Sequence, residues 1–158
     1  MLKLSTNLLL ATMLTAFAAV AHAGEEFRAK LSGDQEVPPV ITDTSGDFRF
    51  DFDDFEESGS YRLKVRDGVR VQQAHIHCAP EGFNGPVIIF LAGNHGPGWD
   101  VDGRWIDNAT VTNANIVNEA CGATLADIVG NMRDGNTYVN VHTVDNPGGE
   151  VRGQIEEE

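Results

Sequence analysis

Gln73-Ala74-His75-Ile76-His77-Cys78 alternates apolar and polar side chains. In an extended strand this sets His75 and His77 side by side on one face and Ala74 and Ile76 on the other. Tyr138-Val139-Asn140-Val141-His142-Thr143 repeats the pattern, with both valines on one face and Tyr138, Asn140 and His142 on the opposite one. The apolar faces supply a core, so all three imidazoles are expected on the polar, solvent-facing side of two strands. Imidazole is the commonest metal ligand, which makes His75, His77 and His142 a candidate transition-metal site. Scattered surface histidines and histidines in hydrogen-bonding structural roles are the competing readings.

The same period of two recurs outward from these strands. Phe27, Ala29 and Leu31 alternate with polar neighbours, Phe48, Phe50 and Phe52 with Asp47, Arg49, Asp51 and Asp53, and Tyr61, Leu63 and Val65 with Arg62, Lys64 and Arg66. The acidic and basic outer faces can pair across strands and fix their register. Ser58-Gly59 reads as a turn, and Asp67-Gly68 as a hairpin turn leading into a strand from Val69 to His77. Pro86 to Leu91 is a continuous apolar run, expected to be a strand buried on both sides. Residues 92–103 are rich in glycine and proline and read as irregular. This loop carries His95, a candidate further ligand that could close over the histidine pair, and Asp100 and Asp102, candidate oxygen ligands. Trp99 and Trp105 are expected to cover the sheet. Thr124 as N-cap, with Asp127 three residues on, predicts a short helix bearing Leu125, Ile128, Val129 and Met132 and ending at Asp134-Gly135. Residues 150–155 form the closing strand. Many short strands, frequent turn signals and one short helix predict an all-β, antiparallel sandwich or barrel.

The 158-residue chain suits a single domain preceded by a leader. Lys3, the apolar run from Leu8 to Val20 and Ala21-His22-Ala23 have the layout of a signal peptide over residues 1–23, leaving a domain of residues 24–158 that is secreted or periplasmic. No other run is long and apolar enough to cross a bilayer. A net charge of −13 opposes binding to nucleic acid and anionic lipid. In an oxidising compartment Cys78 and Cys121 are expected to form a disulfide. The alternative, a thiolate ligand, is disfavoured because Cys78 alternates away from His75 and His77. No serine or cysteine nucleophile stands beside a base, and no glycine-rich loop cradles a phosphate.

Several segments together resemble the CHRD domain, the chordin-type domain: Leu31-Ser32-Gly33 with residues 35–40 (Gln-Glu-Val-Pro-Pro-Val), then Ala74-His75-Ile76-His77, Asn84-Gly85-Pro86-Val87, residues 138–143 and residues 146–155. The resemblance covers residues 27–155 and implies an extracellular domain, with a protein-binding or adhesion role as one function class. A weaker likeness is to the copper/zinc superoxide dismutase sandwich, which implies a Greek-key β-sandwich or flattened barrel. It would carry His75 and His77 onto paired copper ligands, His142 onto a late ligand and His95 onto a loop ligand. No cluster suits a second, zinc site, and the negative surface opposes superoxide unless a local basic patch, with Arg152 as candidate, overcomes it. The expectation is therefore an exported protein binding copper, with zinc as the alternative, through His75, His77, His142 and His95. An extracellular protein-binding module and a copper-dependent redox enzyme are the other two readings. Ligation by ordinary neutral imidazoles would weaken as the pH falls through about 6.

Overall fold

The computed structural model describes residues 24–158; the expected signal segment, residues 1–23, lies outside the described residues. The strands are β1 (Glu25–Leu31), β2 (Ser45–Asp53), β3 (Ser58–Cys78), β4 (Val87–Ala92), β5 (Trp99–Thr112), β6 (Thr137–Thr143), β7 (Val151–Gln154) and β8 (Glu156–Glu157), with one helix, α1 (Leu125–Arg133). Every strand pairing is antiparallel. The main path runs β7-β6-β3-β2-β1-β8, with β4 and β5 both paired to β3. The end of β1 meets β7 where Ser32 N–H donates to Arg152 O at 3.0 Å and Arg152 N–H donates to Ser32 O at 3.1 Å. That bridge nearly closes the sheet into the flattened barrel expected for this all-β chain.

β3 organises the barrel. Its first half is flanked by β2 and β5, and its second half, which carries the His-x-His pair, by β4 and β6. Asp67-Gly68, expected to close a hairpin, instead bends this one long strand. Asp67 and Arg70 adopt left-handed φ angles of 52° and 50°, and the pairing with β5 slips on either side of Gly68. The turn chemistry is real, but β5 pairs with Val65, Gly68 and Val71 and keeps the chain running on across the bend. The true turn lies at residues 54–57, just before the expected Ser58-Gly59. Residues 99–112, partly assigned to an irregular loop, form β5. β4 is not buried on both sides: Ile88 and Ile89 are, whereas Phe90 is 49% exposed.

The apolar faces meet as the alternation requires. Phe27, Phe48, Phe50, Leu63, Ile76, Val139 and Val151 all bury in one core, and α1 adds Leu125, Ile128, Val129 and Met132. Burying each such side chain contributes roughly 1.5–3 kcal/mol. The helix starts at the expected capping box: Asp127 N–H donates to Thr124 Oγ1 at 3.1 Å and Thr124 N–H to Asp127 Oδ2 at 3.0 Å. Charges on the outer faces of β2 and β3 pair diagonally, Arg66 with Asp47 at 2.6 Å and Arg62 with Asp51 at 3.8 Å. Cys78 and Cys121 are joined in a disulfide closing 43 residues, which is worth roughly 4 kcal/mol by loop entropy and removes Cys78 as a thiolate ligand.

Closure of the barrel makes a direct prediction. A Cβ on Gly153 of β7 would lie 2.4 Å from the backbone oxygen of Lys30 on β1. Gly153→Ala must therefore push the two strands apart, at a cost of about 1–3 kcal/mol, read as a lowered denaturant midpoint with an unchanged slope.

Candidate metal centre

The register that builds the sheet also builds the site. His75 faces Asn140, His77 faces Tyr138 and Gln73 faces His142 across β3 and β6, while Phe90 of β4 and Arg152 of β7 extend the row on either side. As expected, the imidazoles share the face opposite the apolar core. They are not solvent-facing, however: His75, His77 and His142 are only 4%, 8% and 6% exposed. Three loops fold over this face and bond to it. Glu36 accepts from Asn140 Nδ2 at 2.6 Å, Gly85 O lies 2.9 Å from His77 Nδ1, and Pro147 O lies 3.0 Å from His142 Nδ1. Polar backbone from the loops thus covers polar side chains of the strands, forming a second buried layer outside the apolar one.

The hydrogen bonds dictate where the ring protons sit. A carbonyl oxygen can only accept, so His77 and His142 each carry the proton on Nδ1 and leave Nε2 bare. His142 Nε2 lies 2.9 Å from His75 Nδ1, so His75 must donate there and its own Nε2 is bare as well. His75 Nε2 and His77 Nε2 are buried with no hydrogen-bond partner among the described residues. Unpaired buried acceptors of this kind cost about 1–3 kcal/mol each. Carbonyl-anchored Nδ1–H groups are also the second-shell arrangement that aims Nε2 at a metal. One ligand atom from each of the three residues falls within 4.8 Å of the others. A shared ion with metal–nitrogen distances of about 2.0 Å would hold such atoms roughly 3.3–3.5 Å apart, an inward movement of about an ångström.

Burial, reinforced by the other two rings, pushes the His75 imidazole down to about 3. Burial likewise takes His142 to about 4 and lowers His77, against the Pro147 and Gly85 carbonyls that favour their protonated forms. His75 and His142 are therefore neutral well below pH 6, so protonation of these rings would compete with a metal only under more acid conditions than expected. Burial pushes the neighbouring Glu36 carboxyl the other way, up to about 7, in spite of Arg152 and the Asn140 hydrogen bond. Burial would also raise Glu150, but hydrogen bonds from Thr42, Asn146, Thr143 and Thr44 hold it below its usual range.

His95 does not join the triad. It stacks on Trp99, ring centroids 4.0 Å apart, beside an indole that is 53% exposed rather than laid over the sheet. Its loop is held away by its own pairing, His95 N–H to Gln72 O at 3.1 Å. Asp100 is occupied by the Arg70 backbone N–H at 3.0 Å, and neither it nor Asp102 converges with the histidines. Trp105 packs, half-buried, against the core as expected. The triad is the one group of three or more His, Cys, Asp or Glu side chains among the described residues whose ligand atoms converge. Sequence reasoning missed Gly85 and Pro147, whose carbonyls fix the tautomers, and Phe90, whose ring stands edge-on to His75 at 4.7 Å. Gly85 and Pro147 lie inside the quoted Asn-Gly-Pro-Val and Asn-Pro-Gly-Gly segments, but nothing in those letters says that their oxygens face imidazoles.

The lowered imidazoles set a pH dependence for the metal-free protein. The unfolded chain takes up protons below about 6.5 while folded His75 and His142 resist them until about 3–4, so stability present at neutral pH is lost as the pH falls through that window. Glu36 acts oppositely, binding its proton more readily when folded, but it is one group against three. Thermal midpoints should fall from pH 7 to pH 4.5, and His75→Gln should flatten the fall; a midpoint independent of pH would contradict the burial argument.

Compared with known proteins, no curated protein and no solved structure matches the chain. The CHRD domain family matches residues 27–155, from the first buried phenylalanine of β1 to Ile155 beyond β7. That span holds strands β2 to β7, most of β1, the helix and all three buried histidines, and on this match the chain belongs to the CHRD domain family.

Proposed function

We propose that this protein is an exported, single-site metal-binding domain that holds one transition-metal ion, copper in preference to zinc, through His75, His77 and His142. The observation that carries the reading is the pair of buried, unpartnered Nε2 atoms on His75 and His77, beside an unprotonated Nε2 on His142 that accepts from His75 Nδ1. A structural role for the rings would leave those two acceptors desolvated for no return, whereas an ion shared among the three rings would satisfy both, with His142 Nε2 exchanging its hydrogen bond from His75 for the metal. Nitrogen donors suit copper and zinc alike, and copper has the higher intrinsic affinity in such a set. Export is supported by the leader-like residues 1–23 and by the disulfide.

The loops over the triad favour holding an ion over turning over a substrate. A redox or hydrolytic centre keeps a coordination position open to reactants, and here the face carrying the rings is sealed by backbone from three segments. Storage, delivery or structural use of the metal fits that geometry better than catalysis.

Titration of the chain without its leader, by calorimetry, should show one equivalent of copper bound, with zinc weaker. His142→Ala and His77→Ala should each lower copper affinity at least a hundredfold, while His95→Ala leaves it unchanged. Equal binding by wild type and both triad variants would refute the site, and a loss in His95→Ala would mean that the loop closes over the ion after all.

A further inference from the structure

The surroundings of the triad carry a second pattern, one of charge. Tyr138 lies flat against His77, ring centroids 4.7 Å apart with 12° between the planes, and the Arg152 guanidinium carbon sits 3.4 Å from the centre of the Tyr138 ring. Arg152 is 2% exposed. Its side-chain bonds go to neutral acceptors, Asn84 Oδ1 at 3.4 Å and Pro80 O at 3.3 Å, and no ion pair among the described residues includes it. A fully buried guanidinium without a partnered carboxylate is unusual, because desolvating it costs several kcal/mol. Two acids act on it from a distance without pairing: Glu36, which bonds to Asn140 and whose carboxyl is pushed up to about 7, and Glu81, so the cation is offset only in part. The triad itself offers three neutral donors with no carboxylate or thiolate converging on them, and the adjacent Cys78 is locked in its disulfide.

We infer that the centre is built for a monovalent ion, copper(I), in preference to zinc(II) or copper(II). This rests on the proposed metal site and adds the charge of its occupant. The cost of burying an ion rises with the square of its charge, so three neutral nitrogens in a closed layer compensate a monocation far better than a dication. Arg152, on the order of 8 Å from the His77 donor, penalises each additional positive charge by about thirtyfold at an effective dielectric of 20. Copper(I), with its single charge and weaker Lewis acidity, is content with three donors in a plane. Zinc(II) and copper(II) call for a fourth ligand, which the converging group does not supply. Tyr138 keeps the guanidinium at one ring's remove, so the cation acts through its field and not as a competitor for the imidazole lone pairs.

The test compares ions of different charge on the same folded protein. Copper(I) is measured anaerobically against bicinchoninate, silver(I) as a redox-inert monovalent probe by calorimetry, and zinc(II) against a zinc dye. Copper(I) and silver(I) should each bind at least a hundredfold more tightly than zinc(II), and the copper adduct should show a reduction potential above that of the aqueous copper couple. Arg152→Met should narrow the copper(I)-to-zinc(II) ratio by about thirtyfold, with Arg152→Lys restoring much of it. If Arg152→Met does not fold, the wild-type potential decides: a value below the aqueous couple overturns the inference. Zinc(II) binding as tightly as copper(I) overturns it while leaving the metal site standing. Failure of every ion to bind removes both.

Discussion

Two loop carbonyls decide the chemistry of this molecule. Pro147 O and Gly85 O each accept the Nδ1–H of a buried imidazole and so leave the opposite nitrogens without a proton, inside a buried polar layer. Removal of either carbonyl would free its ring to adopt the other tautomer, and the three bare Nε2 atoms would no longer be fixed in number or direction. Gly85 shows how tightly this is set. A Cβ there would lie 1.9 Å from the backbone oxygen of Cys78, so the loop can approach the end of β3 closely enough to reach His77 only with glycine at that position. The same reasoning applies to Gly149, whose φ of 143° and whose crowding by Asn140 and Glu36 let the 144–150 connection press against the polar face.

The molecule therefore has two interiors separated by one sheet. On the inner side the alternating Phe, Leu, Ile and Val residues exclude water in the ordinary way. On the outer side of the β3–β6 pair, His75, His77, His142, Asn140, Tyr138 and Arg152 are buried just as deeply, but against polar backbone. Glu150 anchors this second layer, accepting from Thr143 Oγ1 at 2.8 Å and Asn146 Nδ2 at 2.5 Å as well as from Thr42 Oγ1, and so joins the segment before β2 to the segment before β7. A buried polar network is favourable only when its members are satisfied. Of the buried polar side-chain atoms left without a partner among the described residues, two are His75 Nε2 and His77 Nε2 and a third is Asn140 Oδ1, with Thr137 Oγ1 and Gln154 Oε1 farther along β6 and β7.

How much of this could be read from the letters depends on the range of the interaction involved. Strand faces were legible because side-chain direction follows from local backbone geometry: Phe48, Phe50 and Phe52 went inward, His75, His77 and His142 shared the other face, and the Thr124 cap started α1. The bend in β3 was not, because Asp67-Gly68 has the composition of a hairpin turn and only the distant strand β5 keeps the chain extended there. Burial of the histidines was not legible for the same reason. Alternation tells which side of a sheet a ring occupies but not what lies on that side, and the cover comes from contacts such as Asn84 Nδ2 to Val37 O at 2.7 Å, which span a long stretch of chain. His95 misled because a histidine among glycines looks free to move toward a site, whereas its backbone pairing with Gln72 and its stacking on Trp99 keep it on another part of the surface.

The way the cover is attached bears on how an ion would enter and leave. β3 ends at Cys78, immediately after His77, and the disulfide ties that end to Cys121, so the ligand strand itself is pinned. The 79–86 segment is anchored by Cys78 N–H to Pro86 O at 3.0 Å and, at its middle, by the longer contacts from Arg152. Phe90, half exposed and edge-on to His75, links a triad ring to the surface. Under the proposed metal role, the loops over the pinned strand would have to loosen to admit an ion, and the rings would then draw in around it. Exchange of such an ion would then be governed by the cover, because opening breaks neutral hydrogen bonds that contribute about 1 kcal/mol each and leaves the apolar core untouched. An ion caught under such a cover is retained through the cost of opening as well as through its ligands.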